Sequence, residues 1–244
     1  PEQVKKISGT FKNSTPGIGY GLTETNALGA VNAGAFYVAR PDSAGRVVPP
    51  VTEFRIILED GREQTTGERG ELCIKSPANI LGYWNKPEAT AEAFVDGWFH
   101  TGDIAYLDHD GFLYIVDRIK EIIIRGGENI SCIEVEAAIY SHPDIYEVAV
   151  FGLPDERLGE VVGTAVVLRE GAQLTADELR IYLSEHLAMF KVPAYIWFPT
   201  EQLPRIASGK IFKRQIKADY AAKMARDKKP QANVNQPNEE GIGE

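Results

Sequence analysis

The hydrophobic period of this chain changes once, near Lys120, and that change limits what it can fold into. Upstream, apolar residues come in short runs broken by Gly, Pro, Asn and Asp, the pattern of strands and turns. Downstream, strand-like runs alternate with amphipathic stretches at helical spacing, two of them opened by a capping box. Two regions are therefore expected, and 244 residues suffice for two modest cores.

In the first region, FKNSTPGIGYGLTETNALGAVNAGAF reads as loops joining short strands. VTEFRIILEDG is mostly apolar and β-branched and closes on Asp60-Gly61, while GELCIKS alternates up to Pro77; together they predict a hairpin or small barrel. Lys86-Pro87 opens a short helix, PEATAEAFV, with proline where its missing N–H costs least and Gly97 as the stop. Two strands, IAYLD and FLYIVDR, flank the turn Asp108-His109-Asp110-Gly111.

The second region begins with Ile122-Ile123-Ile124 and the Gly126-Gly127 break. Ser131 with Glu134 caps a helix whose stripe is Ile133, Val135, Ala138 and Ile139, stopped by Pro143. Strands follow at about 145–152 and 160–169, then a helix capped by Thr175 and Glu178 with Leu179, Leu183 and Leu187 on its apolar face. A strand near Tyr195–Phe198, the loop Ser208-Gly209-Lys210 and a helix from Ile211 complete a β-α-β-β-α-β order, an α+β domain. The polar end, ARDKKPQANVNQPNEEGIGE, reads as an unstructured tail.

Composition narrows the function. With 26 basic against 35 acidic residues the net charge is -9, which disfavours a phosphate-backbone footprint and so a nucleic-acid partner. Two cysteines, Cys73 and Cys132, make neither a disulfide framework nor a zinc knuckle and read as small packed hydrophobes in a reducing cytoplasm. The four histidines lack HxxxH or HExxH spacing, and no GxSxG elbow occurs. Neither a signal peptide nor a membrane span is visible.

Four segments could each hold part of a nucleotide. In Tyr20-Gly21-Leu22-Thr23-Glu24-Thr25 a ring can stack on a base, a hydroxyl can bond a phosphate and a carboxylate can hold Mg²⁺; the plain alternative is a glycine turn capped by Thr23. In GWFHTGD, Asp103 follows a glycine turn and precedes a strand, where it can accept from both hydroxyls of a ribose or lie on the surface. Asp117-Arg118-Ile119-Lys120 offers a guanidinium fork and a charged swivel, or a solvated charge cluster. In LPRIASGK, Lys210 sits on a glycine-bearing loop and can meet charge built up in a transition state, or belong to an exposed turn; the GxxxxG of a Walker loop is missing.

Taken in order, YGLTET, GERGELCIKSPANILGYWNKP, GWFHTGD, IVDRIKEIIIRGGENI and LPRIASGKIFKR over residues 15–214 resemble the adenylate-forming superfamily, most closely its fatty-acid or aryl-acid CoA ligases. The resemblance implies a fold and a reaction. The fold would be the small β-barrel-like end of a large amino-terminal AMP-binding domain, residues 1–117, then a mobile α+β carboxyl-terminal domain, residues 118–222, and a disordered tail, 223–244. The reaction would activate a carboxylic acid, a fatty acid first, with ATP and Mg²⁺ to an acyl-adenylate and pass the acyl group to coenzyme A.

Residue by residue, the resemblance places Tyr20, Gly21, Leu22 and Thr23 at the adenine and α-phosphate and Glu24 on Mg²⁺, with Thr23 and Glu24 also counted as catalytic. Asp103 would take the ribose with Arg118 beside it, and Ile115 would line the nucleotide. Lys120 would be the hinge, Lys210 the lysine of the first half-reaction, and Gly126, Gly127 and Glu128 the segment facing the pantetheine of CoA. The family's phosphate loop, expected well before YGLTE, does not occur, so the chain is expected to be a fragment that is weak or inactive alone, with the missing amino-terminal half as a possible partner. Two other readings stay open: a module loading a carrier-protein thiol, and a non-catalytic nucleotide-binding fragment.

Overall fold

The structure, a computed structural model, describes residues 15–227. It is α+β and divides into two compact units, residues up to Ile122 with Ser131–Glu134, and Ile123–Ile130 with the residues from Val135 onward.

The first unit opens with β1 (Gly17–Tyr20), β2 (Ala30–Ala33), α1 (Gly34–Ala39) and β3 (Arg46–Val47), the strands forming an antiparallel sheet in that order. Loops and short strands are expected over the whole segment, and α1 is the exception. Gly34 takes a φ of 60°, which turns the chain out of β2, and the Asn32 amide donates to the carbonyls of Arg40 and Ser43 at 3.0 Å each, closing the excursion. Next come β4 (Glu53–Ile57), β5 (Gly70–Lys75), α2 (Pro87–Ala93), β6 (Phe94–Val95), β7 (Trp98–Leu107) and β8 (Leu113–Arg118), whose strands form a curled half-barrel of order β4-β5-β7-β6 with β8 also on β7. In β5 Leu72 and Ile74 join Ala30, Ile56, Ala105 and Leu113 in one core cluster as alternation predicts, and Cys73 between them is buried as well.

Two local expectations fail here. The helix from Pro87 ends at Ala93 rather than at Gly97, because Phe94 and Val95 leave it to pair with Phe99 and Trp98 across an Asp96-Gly97 turn with φ of 50° and 80°. Asp103 does not precede a strand; it lies inside β7, one residue after Gly102, whose φ is 70°.

The second unit holds β9 (Ile123–Arg125) and β10 (Glu128–Ile130), joined through Gly126-Gly127 with φ of 60° and 91°. Then follow α3 (Cys132–Tyr140), whose first residues group with the first unit, β11 (Ile145–Asp155), β12 (Gly159–Leu168), α4 (Ala176–Ser184), β13 (Tyr195–Trp197) and α5 (Lys213–Asp227). The sheet order is β10-β9-β12-β11, with β13 parallel to β12 after the α4 crossover, as a parallel pair requires. Ala149, Phe151, Leu153, Ala165, Leu203 and Ile216 make up much of its core.

Both N-caps form: the Ser131 and Thr175 hydroxyls accept from Glu134 N and Glu178 N at 3.1 and 3.2 Å, and at Thr175 the box is completed by Thr175 N donating to Glu178 Oε2 at 2.8 Å. Val135 and Ile139 are buried as expected, but Ile133 points outward and Leu187 lies beyond the end of α4. α5 runs through Asp227, five residues into the stretch expected as tail, because Met224 packs into the core. The rest of that stretch lies outside the described residues.

Candidate functional site

The first unit gathers most of the nucleotide candidates. Tyr20 ends β1, and its hydroxyl donates to Asp103 Oδ2 at 2.5 Å; Arg118, at the end of β8, donates through Nε to Asp103 Oδ1 at 2.9 Å. β1 and β7 thus meet at a carboxylate that is 4% exposed. Asp103 and Arg118 face each other because they are directly paired across β7 and β8. Burial, then the Asp103 charge, raises the Tyr20 phenol far above its ordinary range, so it serves Asp103 as a neutral donor. Burial alone would lower the Arg118 pKa, but the Asp103 charge and hydrogen bond outweigh it and raise it. Tyr20, Leu22 and Ile115 also pack half-buried against the core of this unit.

Thr23, Glu24 and Thr25 form a single 3-10 turn after Gly21. Thr25 rather than Thr23 closes it: its hydroxyl accepts from Leu22 N at 3.1 Å and donates to Leu22 O. Thr23 is exposed. Gly21 is required sterically, since a Cβ there would meet Ala27 O at 2.3 Å.

Glu24 has a partner that sequence reasoning did not find. Tyr83 donates to Glu24 Oε1 at 2.9 Å, and Ile80 N donates to the Glu24 carbonyl at 2.8 Å, so the loop before α2 holds the carboxylate. Burial and the Glu24 hydrogen bond push the Tyr83 phenol up to about 12. The donor set suits Mg²⁺, which takes one or two carboxylates together with substrate phosphates. Tyr83 fixes one Glu24 oxygen, and among the described residues the other accepts no hydrogen bond.

Asp117, beside Arg118 in the sequence, is fully buried; it accepts from Arg118 N at 2.7 Å and from Ile133 N at 3.4 Å, tying the end of β8 to the start of α3. Lys120 is exposed in the 3-10 turn Ile119–Glu121.

Gly126, Gly127 and Glu128 belong to the second unit and are exposed at the β9–β10 turn. Lys210 is exposed on a tight loop of that unit, where Ile206 N donates to the Lys210 carbonyl at 2.9 Å and residues 205 and 211 bridge. Its base is anchored by a buried carboxylate: Glu147 of β11 accepts from Leu203 N at 3.0 Å and from Arg205, whose other nitrogen reaches Gly209 O at 2.6 Å.

Glu71, Cys73 and His100 come together on β5 and β7 with their donor atoms within 4.8 Å of one another, a grouping that motif spacing does not show. The Glu71 oxygens are already engaged, by Gly102 N at 3.1 Å and His100 Nδ1 at 2.8 Å. Burial, helped by the Glu71 charge, pushes the Cys73 thiol up to about 12, so it packs as a thiol, as expected from sequence, rather than as the thiolate a metal would take. Cys132 donates to Glu121 O at 3.0 Å. Among the described residues, no helix is long and apolar enough to cross a membrane.

Comparison with known proteins identifies the family. The family described as AMP-binding enzyme matches residues 1–84, and that described as AMP-binding enzyme C-terminal domain matches residues 134–210. The chain belongs to the adenylate-forming, AMP-binding superfamily. It is 43% identical over 205 residues to the oxalate–CoA ligase of Arabidopsis thaliana, covering 84% of this chain and 39% of that protein. It is 40% identical over 210 residues to the fatty acid–[acyl-carrier-protein] ligase ScoC of Streptomyces coeruleorubidus, covering 85% and 40%. Among solved structures, the o-succinylbenzoate CoA synthetase of Bacillus subtilis in complex with its acyl-adenylate intermediate superposes with a TM-score of 0.81 at 35% identity, covering 88% of this chain and 43% of that one. The chain therefore spans about two fifths of the length of the relatives it matches.

Proposed function

We propose that this chain contributes the nucleotide-handling and mobile parts of an enzyme that activates a carboxylic acid with ATP to an acyl-adenylate and transfers the acyl group to coenzyme A. The observation that carries this reading is the meeting of Tyr20, Asp103 and Arg118. Each carboxylate oxygen can accept two hydrogen bonds, so Asp103, held by one donor on each oxygen, keeps an acceptor site on each for the two hydroxyls of a ribose. Because the donors are in place beforehand, the carboxylate need not reorganise when a nucleotide arrives.

On this reading Tyr20, Gly21, Leu22 and Ile115 take the adenine side and Thr23 a phosphate oxygen. Glu24 holds Mg²⁺, which would neutralise phosphate charge when bound. Lys210 acts in the adenylating step, and Gly126, Gly127 and Glu128 in thioester formation. Residues 1–117 and 118–222 act as the end of one domain and a mobile second, with Lys120 as the hinge. The acid is open, since similar identity links the chain to an oxalate ligase and a fatty-acid ligase. Fatty acids are the class to assay first, and the carrier-protein name of one relative supports testing that acceptor beside CoA.

A chimera tests the reading: residues 15–227 replace the matched part of the Bacillus subtilis synthetase. It should release pyrophosphate from ATP in an o-succinylbenzoate-dependent manner, and AMP once CoA is added. Lys210→Ala should cut adenylate formation by about a hundredfold or more while thioester formation from supplied adenylate persists. A chimera that melts cooperatively yet forms no adenylate overturns the proposal.

A further inference from the structure

β7 carries an irregularity at the candidate site. Between the pairs Glu71↔Ile104 and Cys73↔His100, β5 advances through Leu72 alone while β7 advances through Thr101, Gly102 and Asp103. The surplus is two residues, an even number, so alternation survives and Phe99, Thr101, Asp103 and Ala105 all stay buried on one face. The ladder does not survive, and the bulged backbone groups need other partners.

Side chains supply them. Thr101 Oγ1 donates to Leu72 O at 2.8 Å and accepts from Asp103 N at 3.0 Å. Glu71 reaches across the strands: one oxygen accepts from Gly102 N at 3.1 Å and the other lies 2.8 Å from His100 Nδ1. One carboxylate therefore grips β7 before and within the bulge, immediately ahead of the residue whose carboxylate meets Tyr20 and Arg118.

We propose that Glu71, fastened to His100, is a positioning residue for Asp103: it holds the Thr101–Asp103 bulge in the shape that presents Asp103 to the nucleotide ribose. The inference rests on the ribose role proposed above. Removing the Glu71 carboxylate frees the Gly102 amide and lets the bulge relax, so Asp103 loses aim without being altered itself.

The test uses the 244-residue chain. Glu71→Ala should speed amide hydrogen exchange at Gly102 and Asp103 by about tenfold or more, leaving the amides of Leu153 and Val166 in the second unit's sheet unchanged. It should also lower the preference for AMP over 2′-deoxy-AMP, read by calorimetry, by about tenfold, the scale of a lost hydrogen bond to a charged group. Glu71→Gln, whose amide can still accept from Gly102 N and donate to His100, should restore most of both. Asp103→Asn is the reference and should flatten the ribose preference.

Unchanged exchange in Glu71→Ala overturns the proposal. So does faster exchange with an intact ribose preference, provided that Asp103→Asn has abolished it. If Asp103→Asn leaves the preference intact, or the native chain binds no AMP, the ribose role fails first and the positioning role falls with it.

Discussion

Asp103 shows how much one side chain can depend on its neighbours. A carboxylate 4% exposed is tolerable only because a neutral phenol and a guanidinium satisfy it. Asp103→Ala strands the Tyr20 hydroxyl and should cost about 1–3 kcal/mol by urea unfolding, whereas Asp103→Asn, which still accepts, should cost less. Equal losses would contradict this account of the pairing. Tyr20, Asp103 and Arg118 could be read from the sequence because each sits in a short motif with its own chemistry. Tyr83 could not, since its partner Glu24 lies 59 positions away and a tyrosine in GYWN looks like packing. Glu71 was hidden likewise, as the polar member of an alternating strand whose partners lie across the sheet.

Elements were legible where a local signal acts alone. The helix caps at Ser131 and Thr175, the Gly126-Gly127 turn and the alternation of β5 all follow from residues within a few positions of one another. In two of the misread elements pairing overrode local preference: Phe94 and Val95 leave a helix to join β7, and Asp103 lies within a bulged strand. Two substitutions compare the kinds of force. Leu72→Ala, at a fully buried core position, should cost about 2–5 kcal/mol. Thr175→Ala, which removes an exposed helix cap, should cost about 1 kcal/mol. Chemical denaturation of both variants checks the ordering, and a cap loss exceeding the core loss would refute it.

At the scale of the whole molecule, three acids, Cys73 buried and Tyr20 and Tyr83 half-buried, set an alkaline limit. Burial raises the phenols of Tyr20 and Tyr83 and the thiol of Cys73, the last two to about 12 from ordinary values of 10.0 and 9.0. In each the folded state holds its proton more tightly than the unfolded chain. Their contribution is therefore whole below about pH 9 and is lost as pH climbs towards 12. The urea midpoint should stay level from pH 7 to about 9 and then fall, less steeply in Tyr83→Phe; a level midpoint up to pH 11 would contradict the assignment. The division into a strand-rich region and an α/β-alternating one, the helix caps and the motif residues of the nucleotide site follow from order along the chain, because period and capping are short-range effects. The grip of Glu71 on the β7 bulge was settled by folding alone, because a hydrogen bond across a sheet depends on register, and register is fixed only once the strands have paired; so were those of Tyr83 on Glu24 and of Glu147 beneath the Lys210 loop, because each joins a loop to an element 59 and 56 positions away.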